Sequence, residues 1–155
     1  MKIQKIVLVL HNIRSRFNVG AIFRTADAAG IDKIILSGIT PAPPHPKINK
    51  VALGAEETVP FESHRQTARV INQLKRSKYL IVALEQSSQS IAYTKFRPKY
   101  PLAILLGSEV KGLPASLLKI CHQTMEIPMH GKKESLNVGI ALGIVLFDII
   151  KGKHV

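Results

Sequence analysis

The chain has 155 residues, 46% of them hydrophobic, which suits one domain with a sizeable core. Lys and Arg number 22 against 10 Asp and Glu, a formal net charge of +12, so a polyanion such as nucleic acid is the first partner to expect and added solubility the plain alternative. The single cysteine, Cys121, excludes an internal disulfide and a thiolate-rich metal site, and it fits a reducing, cytoplasmic setting.

Residues 5–11 read as a buried strand. Asn18 then stands as a helix N-cap, Val19, Ile22, Phe23 and Ala26 repeat at helical spacing, and Gly30 is a stop. Residues 32–37 form a second strand, so the chain opens with a βαβ unit. Residues 38–50, with Pro41, Pro43, Pro44 and Pro46, read as an irregular exposed loop, and a weak helical signal covers residues 48–56. Residues 58–61 are at best a short strand, because Pro60 lacks an N–H. Residues 63–77 read as a helix with Val70, Ile71 and Leu74 inward and Arg65, Arg69, Lys75 and Arg76 outward.

Residues 79–84 form a strand and residues 86–90 a polar loop. Residues 102–106 are a strand that ends at Gly107, residues 114–120 a short helix, and residues 124–127 a last strand stopped by Pro128. Residues 135–151 form a final helix, capped by Ser135 and apolar nearly all round. It therefore needs cover on a second side, most simply a partner subunit, and Gly139 and Gly143 would admit a neighbouring backbone. Alternating strands and helices predict a single α/β domain over residues 1–155, with a mostly parallel sheet and helices on both faces. The apolar runs 6–10 and 138–147 are too short for a signal-peptide core or a membrane span, so a soluble chain is expected.

Several chemistries are excluded. There is no G-x-G dinucleotide fingerprint, and the glycine pair Gly107 and Gly112 is followed by Leu113 where a phosphate loop needs Lys. No nucleophile elbow is present, and the six histidines show no paired metal spacing, so no metal is expected. Three segments remain. The first carries Arg14, Arg16 and Arg24 among Asn12, Ser15 and Asn18, forked donors suited to phosphate at the end of a strand, or simply a decorated helix start. The second places Glu109 two residues beyond Gly107, either a ligand loop or an ordinary turn with an exposed acid. The third sets Ser135 and Asn137 at the mouth of an apolar helix, as a cap or with a specific partner.

Together, Asn18 with Arg24, Gly107-x-Glu109 with Gly112-Leu113, and Ile127-Pro-Met129 with Ser135-Leu-Asn137 resemble the three signature motifs of the SpoU/TrmH-type RNA 2'-O-ribose methyltransferases; Gly54-Ala55 followed by Val59-Pro60 is also similar. The resemblance covers about residues 5–151. It implies a SPOUT-class α/β domain with a C-terminal trefoil knot, a homodimer, and S-adenosylmethionine held by Leu84, Gly107, Ile127, Met129 and Leu136. It implies catalytic positions at Asn18, Arg24, Glu109, Ser135 and Asn137, and methyl transfer to a ribose 2'-hydroxyl of tRNA or rRNA. No separate RNA-binding domain is seen, so RNA is expected along Arg14, Arg16, Lys47, Lys50, Lys132 and Lys133. The rival readings are a non-catalytic RNA-binding module that keeps the fold, and a basic α/β enzyme acting on a small anion.

Overall fold

The structure is a computed structural model that describes residues 4–152. Its strands are β1 (Ile6–His11), β2 (Lys33–Ser37), β3 (Phe61–His64), β4 (Leu80–Leu84), β5 (Ile91–Ala92), β6 (Leu102–Leu106) and β7 (Gln123–Glu126). They form one sheet in the order β3-β2-β1-β6-β4-β7-β5, parallel at every pairing. The apolar runs behave as parallel strands should, buried on both faces. Alternation along β1 separates them: Ile6, Leu8 and Leu10 join one core with helices α1 (Arg16–Ala29) and α6 (Val138–Ile150). Val7 and Val9 join the other, with α4 (Thr67–Arg76) and α5 (Ala115–Leu118).

The expected elements are present, with differences at their ends. Helix α1 is capped by Ser15, whose Oγ accepts from Asn18 N at 3.1 Å, rather than by Asn18 itself. That leaves the Asn18 amide free for other partners. Helix α6 is capped by Asn137, not Ser135: Asn137 Oδ1 accepts from Gly139 N at 2.9 Å and Ile140 N at 3.2 Å. The weak helix expected over residues 48–56 is two, α2 (Pro46–Ala52) and α3 (Ala55–Thr58), broken where Leu53 and Gly54 take positive φ of 51° and 94°.

The short strand expected over residues 58–61 lies instead at Phe61–His64, Thr58 belonging to α3, and the helix expected from residue 63 begins at Thr67, because residues 61–64 pair with β2 as an edge strand. The two-residue strand β5 lies inside a segment that carries no strand signal of its own and exists only by pairing with β7. Both differences are tertiary overrides of local pattern.

Helix α1 lies hard against α2. A Cβ built on Gly20 would stand 2.6 Å from Ile48 O and 3.0 Å from Val51 Cβ. Gly20→Ala should therefore cost about 1–3 kcal/mol by overpacking, against the small gain in helix propensity. Urea unfolding checks this: a midpoint at or above that of the parent would mean the helices separate freely.

Candidate functional site

Register brings the carboxyl ends of three strands level, because Leu10 pairs with Leu106 and Leu106 pairs with Leu84. The segments that follow β1, β6 and β4 thus leave one edge of the sheet, where ligands of parallel sheets bind. Met125 of β7 pairs with Leu84, so the segment after β7 leaves beside them.

A directional chain of hydrogen bonds ties these segments together. Glu109 Oε1 accepts from Asn18 Nδ2 at 3.0 Å and from Ser15 N at 3.3 Å, and Oε2 accepts from Arg14 N at 3.3 Å. An ionised carboxylate can only accept, so the Asn18 amide must point its nitrogen at Glu109 and its oxygen away. That oxygen accepts from Asn137 Nδ2 at 3.0 Å, which in turn fixes Asn137 Oδ1 on the free N–H groups that open α6. Burial alone would raise the Glu109 carboxyl. Hydrogen bonds from Asn18 and from the backbone of Glu109, Arg14 and Ser15 outweigh it and hold the group below the usual carboxylate range.

The loop from Gly107 to Leu113 folds back on itself, with Gly112 N donating to Ser108 O at 2.8 Å. Gly107 has no room for a side chain, since a Cβ there would lie 2.7 Å from Gly112 C and from Leu113 Cγ. Beside this loop is a cavity of about 420 Å³. It is walled by Leu84, Gly107, Ile127, Met129 and Leu136, with Glu85, Glu109, Glu126 and Ser135 also on its surface. Its volume is that of a small-molecule site. All five expected cofactor positions line it, and so do Glu109 and Ser135 of the expected catalytic set. Asn18 and Asn137 do not line it; the chain just described joins them to Glu109, which does.

Arg24 does not line this cavity. It is exposed on α1, six residues beyond Asn18, hence about 120° round the helix from it. It lies within roughly 20° of Phe17, itself half exposed. Among the described residues Arg24 has no hydrogen-bond or ion-pair partner.

The profile of the SpoU rRNA Methylase family matches residues 5–147. The chain belongs to that family. It is 36% identical over 148 residues to the 23S rRNA (guanosine-2'-O-)-methyltransferase RlmB of Shewanella oneidensis, matching 96% of this chain and 60% of that protein. The RlmB of Ralstonia nicotianae is 33% identical over 151 residues, again 60% of its length. The chain thus spans about 60% of the length of these curated relatives. Among solved structures, the AdoMet-bound rRNA methyltransferase of Sinorhizobium meliloti superposes with a TM-score of 0.91 at 30% identity, covering 97% of this chain and 57% of that one. A structure described as giving insights into 2-OH methylation of C/U34 on tRNA has a TM-score of 0.85 at 26% identity. There the match covers 96% of this chain and 95% of that one.

Relative to its SpoU relatives' motifs, the expected RNA contacts all lie outside the cavity. Arg14, Arg16, Lys47, Lys50, Lys132 and Lys133 are exposed. Partial desolvation and then the charges of Arg16 and Lys47 lower the pKa of His45, the residue that caps α2. Lys132 and Lys133 lie in the loop that supplies the cavity's other wall.

Sequence reasoning misses a second polar chain beneath the first segment. Ser37 Oγ donates to Leu10 O at 2.9 Å, so it must accept from Thr67 Oγ1 at 2.7 Å, which must accept from His11 Nδ1 at 2.7 Å. His11 Nε2 is left as an acceptor for Asn12 Nδ2 at 3.3 Å, and Asn12 Oδ1 takes Ile39 N at 3.0 Å. The imidazole is thereby held neutral in one tautomer. No spacing signal could have joined residues 11, 37 and 67; the register of β1 with β2 pairs His11 with Ser37, and that of β2 with β3 brings the start of α4 beside them.

Burial lowers the His11 pKa below its ordinary 6.5. The folded state then takes up this proton less readily than the unfolded chain. Stability from the group is present above about pH 6.5 and declines as pH falls below it, levelling off beneath the folded value. The urea midpoint of the parent should drop between pH 7 and pH 5 more than that of His11→Gln; parallel declines would remove His11 as the cause.

Proposed function

We propose that this SpoU-family domain transfers a methyl group from S-adenosylmethionine to a ribose 2'-hydroxyl of tRNA or rRNA. The observation that carries the reading is that the second and third segments line one cavity while the first is tied to both by hydrogen bonds, Asn18 to Glu109 and Asn137 to Asn18. The residues present fit the donor. In a chain of net charge +12, the cavity surface carries three Glu and one Lys, which suits a cationic sulfonium and leaves the basic exterior to RNA. Gly107 lies on the cavity surface, and its missing side chain lets Gly112 and Leu113 close the loop that bounds the donor site. When bound, S-adenosylmethionine supplies a methyl group already activated on sulfur.

The protein's part is alignment and charge. Leu84, Ile127, Met129 and Leu136 exclude water from the donor site, while Asn18, Ser135 and Asn137 stand at its mouth to orient the ribose. Arg24 grips an RNA phosphate and stabilises negative charge developing on the ribose oxygen; a guanidinium keeps its proton, so it is no base. Glu109 is fully engaged as an acceptor and held ionised, so the hydroxyl proton leaves to water.

The active unit is a homodimer. Ile140, Ile144 and Phe147 form an exposed apolar stripe along α6, and Phe17 beside Arg24 extends it. In such a dimer Arg24 serves the cavity of the other copy, which accounts for its distance from its own. The placement of β6 between β1 and β4, with β7 beyond β4 and α6 returning to α1, supports a trefoil-knotted C-terminal third. Lone Cys121 fits a reducing cytoplasm. One structural relative of matching length is named for methylation of tRNA and the longer relatives for rRNA, so both RNAs stand as candidate substrates.

The unaltered protein should bind S-adenosylhomocysteine by calorimetry and methylate RNA from cells that lack it, at sites mapped by 2'-O-methyl sequencing. RNA binding without cofactor uptake would identify a non-catalytic module instead. Arg24→Ala should lose roughly 100-fold or more in turnover with S-adenosylhomocysteine affinity little changed. Mixed with Asn137→Ala, it should regain part of the activity if the two residues act across the dimer. RNA affinity should fall linearly with the logarithm of salt, with a shallower slope after Lys132→Ala with Lys133→Ala; a flat salt response would overturn the electrostatic reading.

A further inference from the structure

Glu85 and Gln86 follow β4 directly, and Gln86 opens the polar loop read in the sequence over residues 86–90. In the fold both lie on the cavity surface, and each also reaches a different wall of it. Glu85 Oε2 accepts from Leu113 N at 2.8 Å, where the loop that begins at Gly107 rejoins the body, and Oε1 accepts from Gln86 N at 2.9 Å. The loop is shaped around this carboxylate: Gly112 has a φ of 64°, and a Cβ built there would collide with Glu85 Oε2. Gln86 Nε2 donates to Glu134 O at 2.6 Å, 48 residues further on.

Both tethered segments need holding. Residues 130–137 are exposed throughout, so burial does little to fix them. Among the described residues, the bond from Gln86 is the only hydrogen bond made by residues 129–136. In the other loop Val110 is 77% exposed. Segments with so few buried contacts open readily. Yet Gly107 on one side and Met129, Ser135 and Leu136 on the other form the cavity's walls.

We propose that Glu85 and Gln86 are positioning residues that clasp the two walls of the methyl-donor cavity from a common point at the end of β4, and so set donor affinity through the loops they hold. The proposal rests on the methyltransferase reading for the identity of the ligand, but not for the clasp itself. Glu85→Ala leaves the Leu113 N–H without its charged acceptor, and Gln86→Ala frees the third segment. Gln86 is exposed, so its replacement leaves the core untouched.

The test compares Glu85→Ala, Glu85→Gln and Gln86→Ala in the full chain. Hydrogen exchange in the free protein should quicken in residues 107–113 for Glu85→Ala and in residues 129–136 for Gln86→Ala, and nowhere else. S-adenosylhomocysteine affinity should weaken about 10-fold or more for Glu85→Ala. Glu85→Gln keeps one acceptor oxygen and should recover part of the loss. In turnover, the KM for S-adenosylmethionine should rise while kcat stays within about two-fold. Affinity within two-fold of the parent in both alanine variants, or exchange raised across the whole chain, would overturn the proposal. Failure of the unaltered protein to take up the cofactor would overturn the methyltransferase reading alone. Loop-confined exchange would then still uphold the clasp, and unchanged exchange would overturn it.

Discussion

The site depends on a carboxylate that can only accept. Glu109 fixes which way the Asn18 amide faces, Asn18 fixes Asn137, and Asn137 ends the sequence on the unsatisfied N–H groups of α6. Reversing any one amide would set two donors or two acceptors against each other. Four bonds thus lock three segments that are 91 and 119 residues apart into one arrangement. The strands bring the segments to one edge, but they do not say how the side chains face. The polar chain does, and it joins the loop after β6 to the two helices that flank the same core. Its cost is that Glu109 is committed: a carboxylate bound to three N–H groups and held ionised is an anchor and a poor proton acceptor.

Charge is divided by position rather than merely in excess. Lys and Arg crowd the exterior, including the starts of α1 and α2 and the loop before α6, whereas the cavity surface is rich in Glu. A polyanion is attracted to the first and repelled by the second. A cationic cofactor is favoured in the second and unfavoured on the first. One protein can then hold both proposed ligands without exchanging their sites, and short-range geometry at the cavity mouth has only to align them.

Much of this was legible in the residues because it is local or periodic. Continuous apolar runs such as residues 6–10 and 102–106 have one satisfactory home, a parallel sheet covered on both faces, and the βαβ opening follows from thirty residues of pattern. The three segments were legible because residue type and order survive as a family pattern. What local pattern could not supply was pairing. Strand β5 and the placement of β3 at Phe61–His64 exist through their neighbours, not through their own composition. Ser15 and Asn137 displaced Asn18 and Ser135 as caps because the cap is chosen by where the chain enters the helix, and that entry is set by Glu109 from far away. The Ser37–Thr67–His11 chain, Glu85 and Gln86 share this character: each is a polar residue whose partner lies at least 27 residues off.

Two features of the single chain remain unsatisfied, and they point the same way. Arg24 stands about 120° round α1 from Asn18, and its side chain makes no hydrogen bond or ion pair among the described residues. Ile140, Ile144 and Phe147 leave an apolar stripe in water on the one helix whose composition allows no polar face. Rotating α1 to bring Arg24 inward would withdraw Asn18 from Glu109 and bury a charge in the core occupied by Val19, Ile22 and Phe23, so a repair within the chain is closed. A second copy laid along α6 covers the stripe with no such penalty and brings a foreign surface to the side of α1 that carries Phe17 and Arg24. The proposed dimer is therefore one contact that would meet two needs: the hydrophobic driving force for association would come from α6, and the cation assigned to the proposed chemistry would arrive with it.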